Sequence, residues 1–325
     1  MSSALVVETR EIDPVEDLLA SASPSRPLAW LRRGDGIVAV GEPLRELRAS
    51  AGANGLRSAA LATAWRRLAS TARIDDPVGL PGTGLVAFGA LAFDERSSSD
   101  SVLVIPSQVI GRQGDRFWRT TIGYADENAD AVAPSTVADH PYGPHWAGTV
   151  GPGAQTPQGY QDSVRQALGR IAAGELSKVV LARDLTGSIP AGSDLRRLVR
   201  ALSTGYPDTW AFAVDGLIGA SPETLVTVQQ RTVTARVLAG TIGRGPDADA
   251  DTAASAHLAS STKDLDEHEY AVQSVLASLR PHTRALAASE QPFLLKLPNL
   301  FHLATDVEGE LADGGSSLDL VGALH

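Results

Sequence analysis

"WAFAVDGLIGASPETLVTV", residues 210–228, reads as strand, turn and strand, and "RTVTARVLAGTIGRG", residues 231–245, adds a strand that runs into a glycine-rich turn. Strand follows strand with no helix between. Ser221-Pro222 is the turn starter. Downstream, "KDLDEHEYAVQSVLASLR" (263–280) is a helix with Leu265, Val272, Val275, Leu276 and Leu279 on one stripe. Upstream, "LRRLVRALS" (195–203) is helical and "KVVLAR" (178–183) reads as a buried strand. Thr156-Pro157 starts a helix with Val164, Leu168 and Ile171 on one face, and Gly174 can end it. Before it, "APSTVADHPYGPHWAGTVGPGAQTPQG" (133–159) is a long connection rich in Pro and Gly. The first half holds strand-like runs at 36–40, 84–93 and 101–110, with a helical stretch at 56–74. Helices and strands mixed without regular βαβ alternation predict the α+β class and argue against a Rossmann sheet.

The 325 residues allow a sizeable core, and 43% hydrophobic with 20% charged residues marks a globular chain. The net charge of −10 argues against nucleic acid or an anionic membrane as partner. Absence of cysteine removes disulfides, thiolate metal sites and a cysteine nucleophile. The start, "MSSALVVETREIDPVEDLLA", lacks the basic end and long apolar core of a secretory signal, and no run approaches ~18 apolar residues. A cytoplasmic location is the expectation. Oligomeric state is left open, with a monomer favoured.

"ELSKVVLARDL" (175–185) places Lys178 at the start of an apolar run, where an ammonium is costly unless paired or used. The chain has only three lysines, Lys178, Lys263 and Lys296, among 28 basic residues. The plain reading of Lys178 is a strand-end side chain that reaches water. The chemical reading is a base, because a desolvated ammonium releases its proton and a guanidinium does not. Glu223, in "GASPETL", is either a solvated turn residue or a partly buried carboxyl acting as a general acid. "AGTIGRG" (239–245) has neither GxGxxG spacing nor a P-loop lysine; it is a packing turn, or one whose N–H groups and Thr241 face an anion. Glu267 lies opposite the apolar stripe and one turn from Lys263. It suits either the helix dipole or a hard cation. His268 and Glu269 fall towards the edges of that stripe, which disfavours a compact His/Glu metal cluster. His302, in "LPNLFHLATDVEG", reads singly as a core histidine, and His140 and His145 as loop residues.

Taken in order, "KVVLAR", "ASPETL", "AGTIGRG", "KDLDEHE" and "LFHLATDVEG" resemble the chorismate-utilising enzymes, the family of isochorismate, salicylate, anthranilate and aminodeoxychorismate synthases. The resemblance covers 155–325 well and the N-terminal half loosely. It implies a single chorismate-binding domain over 1–325, with large antiparallel sheets flanked by helices and a magnesium-dependent site. Chorismate would be the small-molecule substrate. Lys178 matches the lysine of members that add water, as the base for attack at C2, and Glu223 the acid that protonates the departing 4-hydroxyl. Glu267 matches a magnesium ligand. Gly240 and Thr241 match the substrate-contacting loop, and His302 a histidine near the ring. "FHLAT" followed by "VEG" looks more like isochorismate synthases than salicylate synthases, the alternative enzyme reading. The chain stops at "LVGALH", where the family continues with an arginine and further glutamates. The resemblance therefore implies a truncated member, inactive as it stands, or a non-catalytic chorismate-binding protein that has lost its tail.

Overall fold

Alternating burial turns most of the apolar runs into strands. The computed structural model describes residues 4–50, 56–125, 140–312 and 314–324; residues 133–139 of the long connection and His325 lie outside them. The chain forms two compact units, Met1–Pro141 with Leu195–His325, and Tyr142–Asp194. The first begins with β1 (Leu5–Glu11), β2 (Ala29–Arg32), β3 (Asp35–Ala49), helix α1 (Arg57–Ala69), β4 (Arg73–Asp75), β5 (Phe88–Ala90), β6 (Ser101–Gln113) and β7 (Arg116–Tyr124). The second holds β8 (Thr149–Pro152), α2 (Pro157–Ala172) and β9 (Leu185–Ser188). The first unit resumes with α3 (Arg196–Gly205), β10 (Trp210–Val214), β11 (Leu217–Ser221), β12 (Thr224–Gln229), β13 (Thr232–Gly243), α4 (Ala248–Ser260), α5 (Thr262–Leu279), β14 (Thr283–Ala288), β15 (Phe293–Lys296), β16 (Leu300–Leu311) and α6 (Ser317–Leu324).

Two sheets organise the first unit. One has nine strands in the order β11-β10-β2-β3-β6-β7-β1-β4, with β5 on β6; the other has five, β12-β13-β16-β14, with β15 on β16. Every pairing is antiparallel except β1 with β4. This is the α+β architecture with large antiparallel sheets flanked by helices. Helix α1 lays Trp65 and Leu68 on Leu5, Val7, Ile105 and Ile122, and α3 contributes Val199 to the core around Ala29, Val38 and Ile110. The α5 stripe packs on the five-stranded sheet: Val272 and Leu279 are buried against Val233, Ala235, Val237 and Val307. Among the described residues no helix is long and apolar enough to cross a membrane.

Arginine serves this fold as a collector of carbonyls, a use for its five fixed donors. Arg196 is fully buried and donates to the carbonyls of Ala20, His140 and Pro141 at 2.7–3.1 Å. Beside it the Leu195 N–H donates to Pro24 O. The two chain ends at which the second unit is inserted are thus both fixed within the first. Arg57, also buried, donates to the carbonyls of Asp94, Glu95, Ser97 and Ser99 and pairs with the Glu95 carboxylate.

Three expectations need correction. "KVVLAR" forms no strand: residues 178–184 are irregular, and Lys178 is exposed along with Val179 and Val180. A strand needs a neighbour for its backbone groups, and the ladder of the second unit ends at Pro152↔Leu185. There the Asp184 carboxylate takes the Ala154 N–H and turns the chain. In "GLVAFGALAF" only Phe88–Ala90 is a strand. Helix α2 starts as expected, with Thr156 capping the Gly159 N–H, and Gly174 (φ +74°) follows its end. Its apolar face is nevertheless not buried, and Leu168 is 60% exposed.

The long pairing of β13 with β16 changes register once, between Ala239↔Leu303 and Thr241↔His302, leaving Gly240 as a bulge with φ +76°. A Cβ at Gly240 would stand 3.1 Å from Leu303 Cδ1 and 3.3 Å from Asp264 Cβ. At Gly216 (φ +86°) a Cβ would meet nothing within 4 Å. Gly216→Ala should therefore cost about 1 kcal/mol for the left-handed backbone alone, whereas Gly240→Ala should cost about 2 kcal/mol or more because crowding adds to it. Urea unfolding of both variants measures the difference; equal costs would mean that the bulge is not tightly packed.

Candidate active site

The bulge at Gly240 is the centre of the candidate site. Immediately after it Thr241 faces His302 across the ladder, with Thr241 Oγ1 2.8 Å from His302 Nδ1. His302 is half-buried, and burial holds its pKa below the ordinary histidine value, opposed in part by a backbone hydrogen bond to Gly240. The imidazole is therefore neutral at pH 7, able to give one hydrogen bond and accept another.

Helix α5 begins beside the bulge. Ser261 caps it by accepting the Asp264 N–H, and the Ser261 hydroxyl donates to Asp264 Oδ2 at 2.6 Å. Asp264 lies against Gly240. Glu267, one turn on, is half-buried, and Lys263 approaches Asp264 and Glu267 at 3.6 and 3.9 Å. The wheel argument for Glu267 agrees with this placement off the main core. His268, the next residue, is 2% exposed and spans two strands, with Nδ1 3.1 Å from Ala239 O and Nε2 2.7 Å from Thr305 Oγ1. Burial lowers its pKa as well.

Glu223 occupies the step between β11, in the nine-stranded sheet, and β12, in the five-stranded one. Trp210 Nε1 closes this crossing by donating to Thr224 Oγ1 at 3.1 Å. The Glu223 carboxyl is open to solvent, yet the protein around it displaces enough water to raise its pKa above the ordinary glutamate value. A hydrogen bond from the Leu238 N–H opposes that rise. Leu238 precedes Thr241 by three residues, so the two contacts are spaced ~10 Å along β13.

At its end the glycine-rich turn is tied to the start of α4. Asp251, in the first turns of α4, takes the Gly245 N–H at 3.2 Å and both nitrogens of a bidentate Arg244 at 2.7 Å, with Lys296 at 3.5 Å. A Cβ at Gly245 would run into the backbone of Ala250.

Glu223, Gly240, Thr241, Glu267 and His302 all lie in the first unit, four of them along or beside β13 and β16 and Glu267 on the adjoining helix. Lys178 lies in the second unit. Among the described residues no group of three or more His, Cys, Asp or Glu is arranged to hold a metal. Asp264 is engaged with Ser261, and Glu267 beside it is the carboxylate that could take a cation. Magnesium commonly keeps several waters and takes one or two carboxylates together with its substrate.

Sequence reading missed His268 as a support and Asp251 as the partner of Arg244. His268 carried a signal: it stands three residues after Leu265 and four before Val272, on the buried stripe. Asp251 carried none, since α4 has little apolar periodicity.

A family model described as "Chorismate binding enzyme" matches residues 3–325. Isochorismate synthase DhbC of Bacillus subtilis (strain 168) is 33% identical over 249 residues, 73% of this chain and 57% of that protein. A putative isochorismate synthase MenF of Mycobacterium tuberculosis (strain ATCC 25618 / H37Rv) is 30% identical over 258 residues, 75% of this chain and 63% of that protein. The chain thus matches 57–63% of the length of these curated relatives. The solved structure of MenF, the menaquinone-specific isochorismate synthase from Escherichia coli, superposes with a TM-score of 0.71 at 20% identity, covering 99% of this chain and 74% of that one. The fold is shared with that structure, and the chain belongs to the chorismate-binding enzyme family.

Proposed function

We propose that the protein acts as an isochorismate synthase, converting chorismate to isochorismate. The observation that carries this reading is Glu223: a carboxyl at the crossing between two sheets, its pKa raised by desolvation, beside the strand that carries the Thr241–His302 pair. A carboxyl whose pKa is raised suits a general acid. In the reaction Lys178 takes a proton from water as its oxygen bonds to C2. The ring double bonds shift, the C4–O bond breaks, and Glu223 gives its proton to the departing hydroxyl. Water enters and water leaves, so the change is an isomerisation. Gly240, Thr241 and His302 line the substrate side, where a neutral imidazole orients a hydroxyl without adding charge. Magnesium, held by Glu267, water and the substrate's ring carboxylate, would supply the positive charge that steadies that carboxylate.

The test is incubation of the protein with chorismate and magnesium, with products separated by chromatography. Isochorismate as the major product supports the reading; salicylate with pyruvate moves the protein to the salicylate synthases. No turnover, with no chorismate binding, removes the reading. Lys178→Arg keeps the charge but not the titratable base, and should lower the rate ~100-fold or more. A variant that keeps more than a tenth of the rate removes Lys178 from that role.

Glu223 also makes a pH prediction. As an acid it must hold its proton, so turnover should fall as pH rises through its raised pKa, and Glu223→Gln should erase that limb along with most activity. Stability runs the same way. The folded state binds this proton more tightly than the unfolded chain, so the associated stability is complete below the unfolded pKa of ~4.3 and is lost as pH rises through the raised folded value. Melting curves across pH should therefore show Glu223→Gln matching the wild type in acid and melting higher at neutral pH. A variant that melts lower at neutral pH would show that the ionised carboxylate is favoured in the fold.

A further inference from the structure

We infer that His268 is a positioning residue of this site: its imidazole locks helix α5, and with it Glu267, to the bulge that carries the Thr241–His302 pair. The inference rests on the reading of Glu267, Thr241 and His302 proposed above. Its basis is connectivity. His268 Nδ1 reaches Ala239 O on β13, and Nε2 reaches Thr305 Oγ1 on β16. A carbonyl can only accept, so Nδ1 carries the hydrogen, and Nε2 is left to accept from the Thr305 hydroxyl. Thr305 is itself 2% exposed. Ala239 is the last residue paired before the register shift at Gly240. One side chain from the helix is thus fastened to both strands at the point where their ladder breaks.

An apolar side chain could fill this space, and the neighbours Leu265, Val272 and Leu303 already form apolar cores around it. It would hold the helix on the sheet without setting its position along or around the helix axis, since apolar contact is non-directional. Two hydrogen bonds at a fixed tautomer do set it. Glu267 is the adjacent residue and Asp264 the one that touches Gly240, so a small slide or roll of α5 moves the carboxylate relative to Thr241 and His302. Outer partners that orient a ligand-bearing element commonly matter 10- to 100-fold in metal affinity or activity, as an order of magnitude.

The test compares wild type with His268→Leu, His268→Asn and Thr305→Val. Asn keeps an N–H for Ala239 O, whereas Leu keeps neither bond; Thr305→Val removes only the hydroxyl and serves if His268→Leu does not fold. Tyr270→Ala, at an exposed position of the same helix, is the control. Amide hydrogen exchange by mass spectrometry follows residues 239–243, manganese binding by electron paramagnetic resonance follows the cation, and chorismate kinetics separate kcat from KM. In His268→Leu, or Thr305→Val in its place, exchange should rise at the bulge ahead of the rest of the sheet, manganese should bind ~10-fold or more weakly, and kcat should fall with a smaller change in KM. His268→Asn should recover part of the bulge protection. Exchange, manganese binding and kcat unchanged from wild type overturn the inference. So does exchange raised evenly over the whole sheet, which marks a purely structural histidine. If the wild type itself binds no manganese, the magnesium part of the proposed function fails, and bulge exchange still decides the role of His268.

Discussion

The antiparallel ladder between β13 and β16 sets the geometry of everything around the site. Before the bulge, Val233, Ala235 and Val237 face α5 and the core, while Thr234 and Arg236 face the other way, Arg236 towards Asp306 at 2.6 Å. Strict alternation would carry Thr241 to the core face, because odd-numbered residues of β13 point there. The single extra residue at Gly240 reverses the alternation. Thr241 moves to the polar face with His302 and Asp306, and Ile242 takes the core face, where it meets Leu258, Phe301 and Leu303. One glycine thus decides which side chains the site contains, and only glycine tolerates both the left-handed backbone and the closeness of Asp264 and Leu303.

The unequal use of the two basic residues has a structural sense. Arg57 and Arg196 are buried where several carbonyls converge, a task that needs a planar fork of donors. Two of the three lysines stand instead beside carboxylates near the site, Lys263 by Asp264 and Glu267 and Lys296 by Asp251. A compact, mobile ammonium can leave such a carboxylate when a cation or substrate arrives, more easily than a bidentate guanidinium can. The third, Lys178, is exposed in the second unit, in a segment with strand-forming side chains and no strand.

Which parts of the fold were legible in the sequence follows from how local their causes are. Helix α5 carries its own stripe and β13 its own alternation, and both formed within a residue or two of expectation. Glu223 was visible as a carboxyl between two apolar strands, but that those strands belong to different sheets is a matter of pairing with β10 and β13. Partners distant in sequence left no local trace: His268 meets Thr305 across 37 residues and Ala239 across 29. The strand expected at 178–183 failed for the complementary reason. Val179, Val180 and Leu181 supply propensity, and propensity without a neighbouring strand leaves a row of backbone groups that water satisfies equally well.

The two carboxylates of the candidate site sit in different surroundings. Glu267 stands on a helix flank with a lysine in reach. Glu223 stands where two sheets exchange the chain; the protein around it raises its pKa, and the Leu238 N–H, fixed in β13, opposes that rise. Neither influence removes the other. A proposed general acid must give up a proton and then regain it. Chain geometry ties the two roles together: the strand that steadies Glu223 at Leu238 is the one that turns through Gly240 against the first turns of α5. The acid and the candidate metal ligand are therefore positioned by one continuous piece of backbone, and any change that reshapes the bulge acts on both.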